Sequence, residues 1–141
     1  MNLMQATLRE MRILHAVFML TVLLYIFTLI VLHPQERKVS SATVSSFAAE
    51  SIAAAGLALL FRSRKIKPAL EILHGDPEDT SALARWRSGN ILSFVLTETI
   101  VLFGFMVKYL GAGWNVAGVF FVVGTLLFLV WRPRLDVPGG S

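Results

Sequence analysis

Long apolar stretches dominate this sequence and constrain its fold more than any other feature. Four of them, residues 13–32, 41–61, 91–110 and 114–131, contain almost no charged side chains. At a rise of about 1.5 Å per residue, a helix of about twenty residues crosses the hydrocarbon core of a bilayer. We therefore expect an all-α integral membrane protein, a four-helix bundle in which these four stretches span the membrane.

The composition favours a single membrane domain over residues 1–141. The chain is 55% hydrophobic and only 16% charged, unlike an average soluble domain. Its one sizeable polar segment, residues 62–90, is expected to be a loop with a short helix from Pro68 and a further turn capped by Thr80. Residues 132–141 lack apolar periodicity and are predicted to form a loose tail.

The basic residues predict the orientation of the helices. Ten of the 13 lysines and arginines lie before the first stretch, within residues 62–90 or in the tail, and the other three are Arg37, Lys38 and Lys108. Because basic residues concentrate on the cytoplasmic side, we expect both termini and the 62–90 loop in the cytoplasm, with the protein in a bacterial inner membrane. The net charge of +4 is then explained by topology and anionic lipid headgroups, not by nucleic acid.

Two carboxylic acids, Glu50 and Glu98, lie near the middle of the second and third apolar stretches. An ionisable group at this depth is costly, so a functional role is the default hypothesis. Hydroxyl side chains stand nearby, since Ser46 lies one turn before Glu50, and Thr97 and Thr99 flank Glu98. These five residues are the candidate ion-binding residues.

The neighbours of each acid predict its surroundings. Glu50 lies beside a row of small residues, a pattern that lets helices approach closely in lipid, so we expect this acid to face protein; the row is Ser46, Ala49, Ala53 and Gly56. Glu98 has mostly apolar neighbours, which disfavour the charged form of a carboxyl group, so we expect it to be neutral part of the time at physiological pH. The two acids either face one another, and then titrate as a pair, or belong to separate contacts.

Two segments around these acids carry a resemblance. TETIVLFGFMV, residues 97–107, and AESIAAAGLAL, residues 49–59, resemble the acid-bearing helix of the rotary ATPase proteolipid, subunit c. In that family the glutamate carries the translocated proton or sodium ion, which by resemblance implies this role for Glu98 and Glu50. The glycine-rich partner helix of the family is missing from residues 13–32, and the loop is longer here. The whole chain also resembles small four-span bacterial membrane proteins with an arginine-proline stop after helix four, which implies no activity.

Function therefore remains open between different classes. The first hypothesis is a protein that binds or translocates a proton or cation through Glu50 and Glu98. The alternative is a structural or accessory subunit of a larger membrane complex, or a homo-oligomer, with the acids as interhelical hydrogen-bonding residues. An enzyme is not expected, because no base stands near a serine nucleophile and the histidines are widely separated. We accordingly expect no catalytic residue, metal or cofactor, and no partner besides the bilayer and such subunits.

Overall fold

The computed structural model describes residues 2–135, and all regular structure in that range is helical. The helices are α1 (Leu3–Leu32), α2 (Ser41–Phe61), α3 (Lys67–Gly75), α4 (Thr80–Tyr109) and α5 (Trp114–Val130). One π-helical turn, Arg62–Ile66, joins α2 to α3 without a break. The predicted all-α fold class is confirmed.

Three of the helical segments are long and apolar enough to cross a membrane. They are α1, α4 and the continuous 35-residue segment Ser41–Gly75, which contains α2 and α3. The fourth predicted span, α5, is also apolar but has 17 residues, at the short end of the spanning range. The sequence-based expectation of a membrane protein is therefore confirmed at the level of helix length and composition.

Two of the helices begin about ten residues before the predicted spans, for a local reason in each case. The side chain of Asn2 caps α1 by accepting a hydrogen bond from the backbone N–H of Gln5. Asp79 caps α4 by accepting from the N–H of Ala82. An N-cap side chain satisfies a backbone donor that the helix itself leaves free, so it favours helix initiation at that point.

The predicted 62–90 loop is mostly helical. The short helix predicted from Pro68 is present as α3, and the turn predicted at Thr80 is the start of α4, where Asp79 and not Thr80 is the cap. Only residues 76–79 lie outside a helix in this segment. Most of its charged side chains are exposed, whereas many of its apolar residues are buried against the bundle, and this amphipathic pattern stabilises helix rather than loop; the buried apolar residues are Ile66, Ala69, Leu73, Ala82, Leu83 and Trp86.

Helix α4 is the centre of the bundle. It packs against α1, α2 and α5, and it also contacts α3 and the π-helical turn. Helix α1 contacts α5 only lightly, and α2 packs mainly on α4. Two apolar clusters result, one joining α1, α3, α4 and α5 around Trp86, Phe94 and Phe128, the other joining α2, α4 and α5 around Ala54, Ile100 and Phe120.

Glycines allow α4 and α5 to approach most closely. A Cβ atom on Gly124 would meet the Val101 side chain, and one on Gly104 would lie 2.8 Å from Phe120 Cβ. Gly118 has no heavy atom within 4 Å of that position. Close packing therefore depends on Gly104 and Gly124 rather than on every glycine of this pair of helices.

The predicted tail is only partly described. Residues 132–135 are not helical, and Pro133 is buried against the bundle. The rest of the predicted tail, residues 136–141, lies outside the described residues.

Candidate functional site

Glu98 lies near the middle of α4 on the side that faces α1. Its Oε1 atom is 2.7 Å from the hydroxyl of Thr21 on α1. Tyr25, one turn further along α1, also interacts with this carboxyl group through its phenol. The second oxygen, Oε2, is buried and has no hydrogen-bond partner of its own among the described residues. The site is thus a half-buried carboxyl group between two long helices.

The hydroxyl of Thr21 has two possible acceptors and a single hydrogen. Its Oγ1 lies 2.7 Å from the carbonyl oxygen of Phe18 and 2.7 Å from Oε1 of Glu98. A hydroxyl group donates one hydrogen bond and accepts others. When Glu98 is ionised, the hydroxyl of Thr21 can donate to only one of the two acceptors at a time. When Glu98 is protonated on Oε1, its O–H donates to Thr21, and Thr21 donates to the carbonyl oxygen of Phe18. Both contacts are satisfied together only when Glu98 carries a proton on Oε1.

Glu50 lies on α2, and its side chain is exposed. The face of α2 that packs on α4 carries Ser51, Ala54 and Ala58, which are buried. The row of small residues beside Glu50 is exposed as well, and Gly56 has open space around its missing Cβ. Within the described chain the side chain of Glu50 is therefore exposed, whereas the sequence predicted that it faces protein. Glu50 lies at the edge of the side of α2 that contacts α4, since Ala54, one turn further along, is buried.

The two acids do not share a site within one chain. The α4 residues in the Ala54 cluster include Leu96 and Ile100. Glu98 is two positions from each of them, which at about 100° per residue places it roughly 200° around the helix. Glu98 consequently faces α1, on the side of α4 away from α2.

The three predicted hydroxyl residues do not bind either acid. Thr97 donates to the carbonyl oxygen of Ser93 at 2.8 Å, and Thr99 donates to that of Val95 at 2.9 Å, both within α4. Ser46 is exposed on α2. Of the two predicted acids, Glu98 is the one whose carboxyl group binds a side chain of another helix. The hydroxyl groups around it belong to Thr21 and Tyr25 of α1.

Thr21 and Tyr25 were not predicted as site residues, because the stretch that contains them is apolar overall. A signal was present: both residues carry a hydroxyl group, and they are four positions apart in a mostly apolar run. Residues four apart lie on the same helix face, so this pair marks the side of α1 that faces a polar group.

His15 and Lys108 are two further polar residues that the structure holds inside the bundle. His15 Nε2 lies 2.8 Å from the carbonyl oxygen of Phe128, and because a carbonyl only accepts, Nε2 carries the hydrogen. Lys108 is 3% exposed; its Nζ donates to the carbonyl oxygen of Ala112 at 3.1 Å and lies 3.3 Å from Glu36 Oε1. The His15 contact joins α1 to α5. The Lys108–Glu36 contact joins α4 to the connection between α1 and α2.

Within residues 2–135, no three histidine, aspartate or glutamate side chains lie together in a way that could hold a metal ion. Comparisons with known proteins give no match: no family model matches the sequence, and neither a curated protein nor a solved structure is significantly similar. The resemblance of the acid-bearing helices to the rotary ATPase proteolipid therefore stays a prediction.

Proposed function

We propose that this protein is a polytopic subunit of the bacterial inner membrane in which α1, α2, α4 and α5 all cross the bilayer and both termini are cytoplasmic. The distribution of basic residues supports this orientation. An ion pair of 3.5 Å between Arg87 and Glu10 brings the start of α4 to the start of α1. A 2.9 Å hydrogen bond from the Arg37 N–H to the Gly111 carbonyl oxygen joins the two short connections at the other end.

Its proposed role is non-catalytic: it assembles laterally with a partner helix through the outer face of α2, as an accessory subunit or a homo-oligomer. The observation that carries this proposal is the exposed carboxyl group of Glu50 in the middle of a membrane-spanning helix. An exposed charge at the centre of such a helix costs about 2.5–3.5 kcal/mol on insertion scales. A partner that donates a hydrogen bond removes much of this cost.

The small residues on the same side of α2 favour close contact with such a partner. Ala49, Ala53 and Gly56 are all exposed. Small side chains let two helices approach closely enough for van der Waals packing, which drives association where lipid tails are as apolar as the helices. The exposed side of α2 thus combines a packing surface with one strongly polar group.

The test is the association state of the full chain in nanodiscs or mild detergent, measured by native mass spectrometry and disulfide crosslinking from cysteines introduced on α2. Glu50→Leu removes the polar group, Glu50→Gln keeps the hydrogen bonding, and Ala53→Leu blocks close approach. We expect Glu50→Leu and Ala53→Leu to weaken association and Glu50→Gln to retain most of it. Val122→Leu, at an exposed position of α5, is the matched control.

A second candidate function, binding of a proton or cation, rests on Glu98. Among the described residues the buried Oε2 has no hydrogen-bond partner. The hydroxyl of Thr21 also lies within hydrogen-bond distance of two acceptors. Both observations favour a carboxyl group that gains and loses a proton. Isotope-edited infrared spectroscopy in nanodiscs follows the protonated carboxyl band as pH and cations vary, with Glu98→Gln to assign it. A band that responds to pH or cations supports this function, and flux assays in vesicles then test transport. A band that responds to neither leaves Glu98 as an interhelical hydrogen-bonding residue.

A further inference from the structure

A groove of about 550 Å³ lies between α1 and α5, and α2 contributes no residue to it. Its walls are mainly apolar, with Met19, Leu23 and Ile26 from α1 and Leu129 from α5. Because α1 and α5 contact each other only lightly, they leave this space open along their length. The groove is therefore long, apolar and formed by two helices.

One end of the groove is positively charged. Arg12 lines it from the first part of α1, and Arg132 lines it just beyond the end of α5. The hydrogen bond between His15 and Phe128 sets these two helix ends side by side. From Arg12 to Ile26 the groove follows fifteen residues of α1, a length of about 21 Å at the usual helical rise. This distance suits one extended acyl chain of a phospholipid.

The charge of the two arginines is not neutralised within the described chain. Neither Arg12 nor Arg132 has an ion pair or a side-chain hydrogen bond there, whereas Arg87 pairs with Glu10. No acidic residue lines the groove. The two guanidinium groups therefore present N–H donors toward an anion, and arginine recognises phosphate through several such donors at once.

We infer that this groove binds one anionic phospholipid, with its phosphate held by Arg12 and Arg132 and an acyl chain along Met19, Leu23 and Leu129. Basic pockets between transmembrane helices on the cytoplasmic side bind anionic headgroups, and apolar walls add burial of the chain. This site is independent of the proposed assembly face, because it uses α1 and α5 and leaves Glu50 and α2 untouched.

The experiment measures lipid retention by the purified full chain in native mass spectrometry, with dioleoyl phosphatidylglycerol against dioleoyl phosphatidylcholine. We expect preferential retention of the anionic lipid, and about fivefold weaker retention in each of Arg12→Gln and Arg132→Gln, as each removes one basic residue near the headgroup. Arg85→Gln, an exposed arginine outside the groove, is the matched charge control and should retain lipid like the wild type.

A second variant tests the apolar part without changing charge. Ala16 is exposed in the groove, so Ala16→Phe should fill the groove and lower lipid retention severalfold, whereas Val122→Phe on the outer side of α5 should not.

Equal losses of lipid retention in Arg85→Gln and Arg12→Gln would show an effect of general surface charge and would overturn the proposal. So would unchanged retention in Ala16→Phe, or competition by inorganic phosphate alone, which would point to a free-anion site. Circular dichroism of each variant confirms that it is folded.

Discussion

The hydroxyl of Thr21 and the carboxyl group of Glu98 lie 2.7 Å apart and join the middle of α1 to the middle of α4. Most other contacts between these two helices are apolar, apart from the Glu10–Arg87 ion pair towards their N-terminal ends and the phenol of Tyr25. It gives the acid at the centre of α4 a structural role whether or not the acid also exchanges a proton.

Replacing Thr21 with valine should weaken the bundle. The variant removes the interhelical hydrogen bond and keeps the shape of the side chain, and such bonds in membrane proteins contribute on average about 0.6 kcal/mol, with a maximum of about 1.7. Thr28→Val is the matched control, because the hydroxyl of Thr28 donates only to the carbonyl oxygen of Leu24 in its own helix. Unfolding by dodecyl sulfate in mixed micelles measures both free energies, and equal losses in the two variants would contradict the interhelical role.

Adding one methyl group to Gly124 should be far more harmful than adding it to Gly118. At Gly124 the new Cβ meets the side chain of Val101, and moving packed helices apart costs about 1–3 kcal/mol. At Gly118 there is open space, so Gly118→Ala should be neutral or stabilise α5 by up to about 1 kcal/mol through helix propensity. Thermal unfolding in the same detergent compares the variants. A neutral Gly124→Ala would argue against close packing of α4 and α5.

Replacing Lys108 should lower the free energy of unfolding more than replacing Glu36, although the two side chains pair with each other. Lys108 is buried and also donates to the carbonyl oxygen of Ala112, so Lys108→Met leaves that buried acceptor unpaired and should cost about 1–3 kcal/mol. The side chain of Glu36 is 67% exposed, and loss of an exposed ion pair costs at most about 1 kcal/mol, so Glu36→Gln should have the smaller effect. Denaturation of both variants under identical conditions measures the difference, and the reverse order would contradict the burial of Lys108.

Stability should fall at acid pH in part through Asp79. Its carboxylate accepts hydrogen bonds from the N–H of Ala82 and the hydroxyl of Ser81, and these lower the pKa of Asp79 below its usual range. Because the pKa is lower in the folded state, this stabilisation is present above the unfolded value, about 3.9, and is lost as the pH falls through the folded value.

Asp79→Asn retains a capping side chain but cannot be protonated in this range. Its stability should therefore vary less with pH than that of the wild type below about pH 4. Melting temperatures followed by circular dichroism between about pH 2 and pH 6 test this expectation. Glu78→Gln, which removes an acid from the same turn, should keep the wild-type dependence, and parallel curves for wild type and Asp79→Asn would refute the prediction.

Several helix boundaries were correctly predicted from the sequence because they depend on local signals. The first span ends at Leu32, before His33 and Pro34, and His33 adopts a positive φ of 44° there. The bounds of α2 and the start of α5 also agree with the predicted stretches. The early start of α1 was missed because apolar runs mark only the part of a helix that lies in lipid, whereas the cap at Asn2 sets where the helix begins. A helical turn near Thr80 was predicted, but Asp79 and not Thr80 is the capping residue.

The candidate site could be predicted only in part. The sequence identified Glu50 and Glu98 from their depth in apolar stretches, and periodicity alone determined which neighbours share a face with each acid. It did not determine which face of α2 or α4 packs against which helix.

That choice belongs to the tertiary structure. Helix α4 presents Leu96 and Ile100 to α2 and Glu98 to α1, so α1 and α2 lie on separate sides of it. Helix α5 packs closely on α4 at Gly104 and Gly124. From the sequence alone it follows that the chain forms long apolar helices, two of which carry an acid near the middle. The close fit of side chains from different helices is what leaves Glu98 half-buried against α1 and Glu50 exposed.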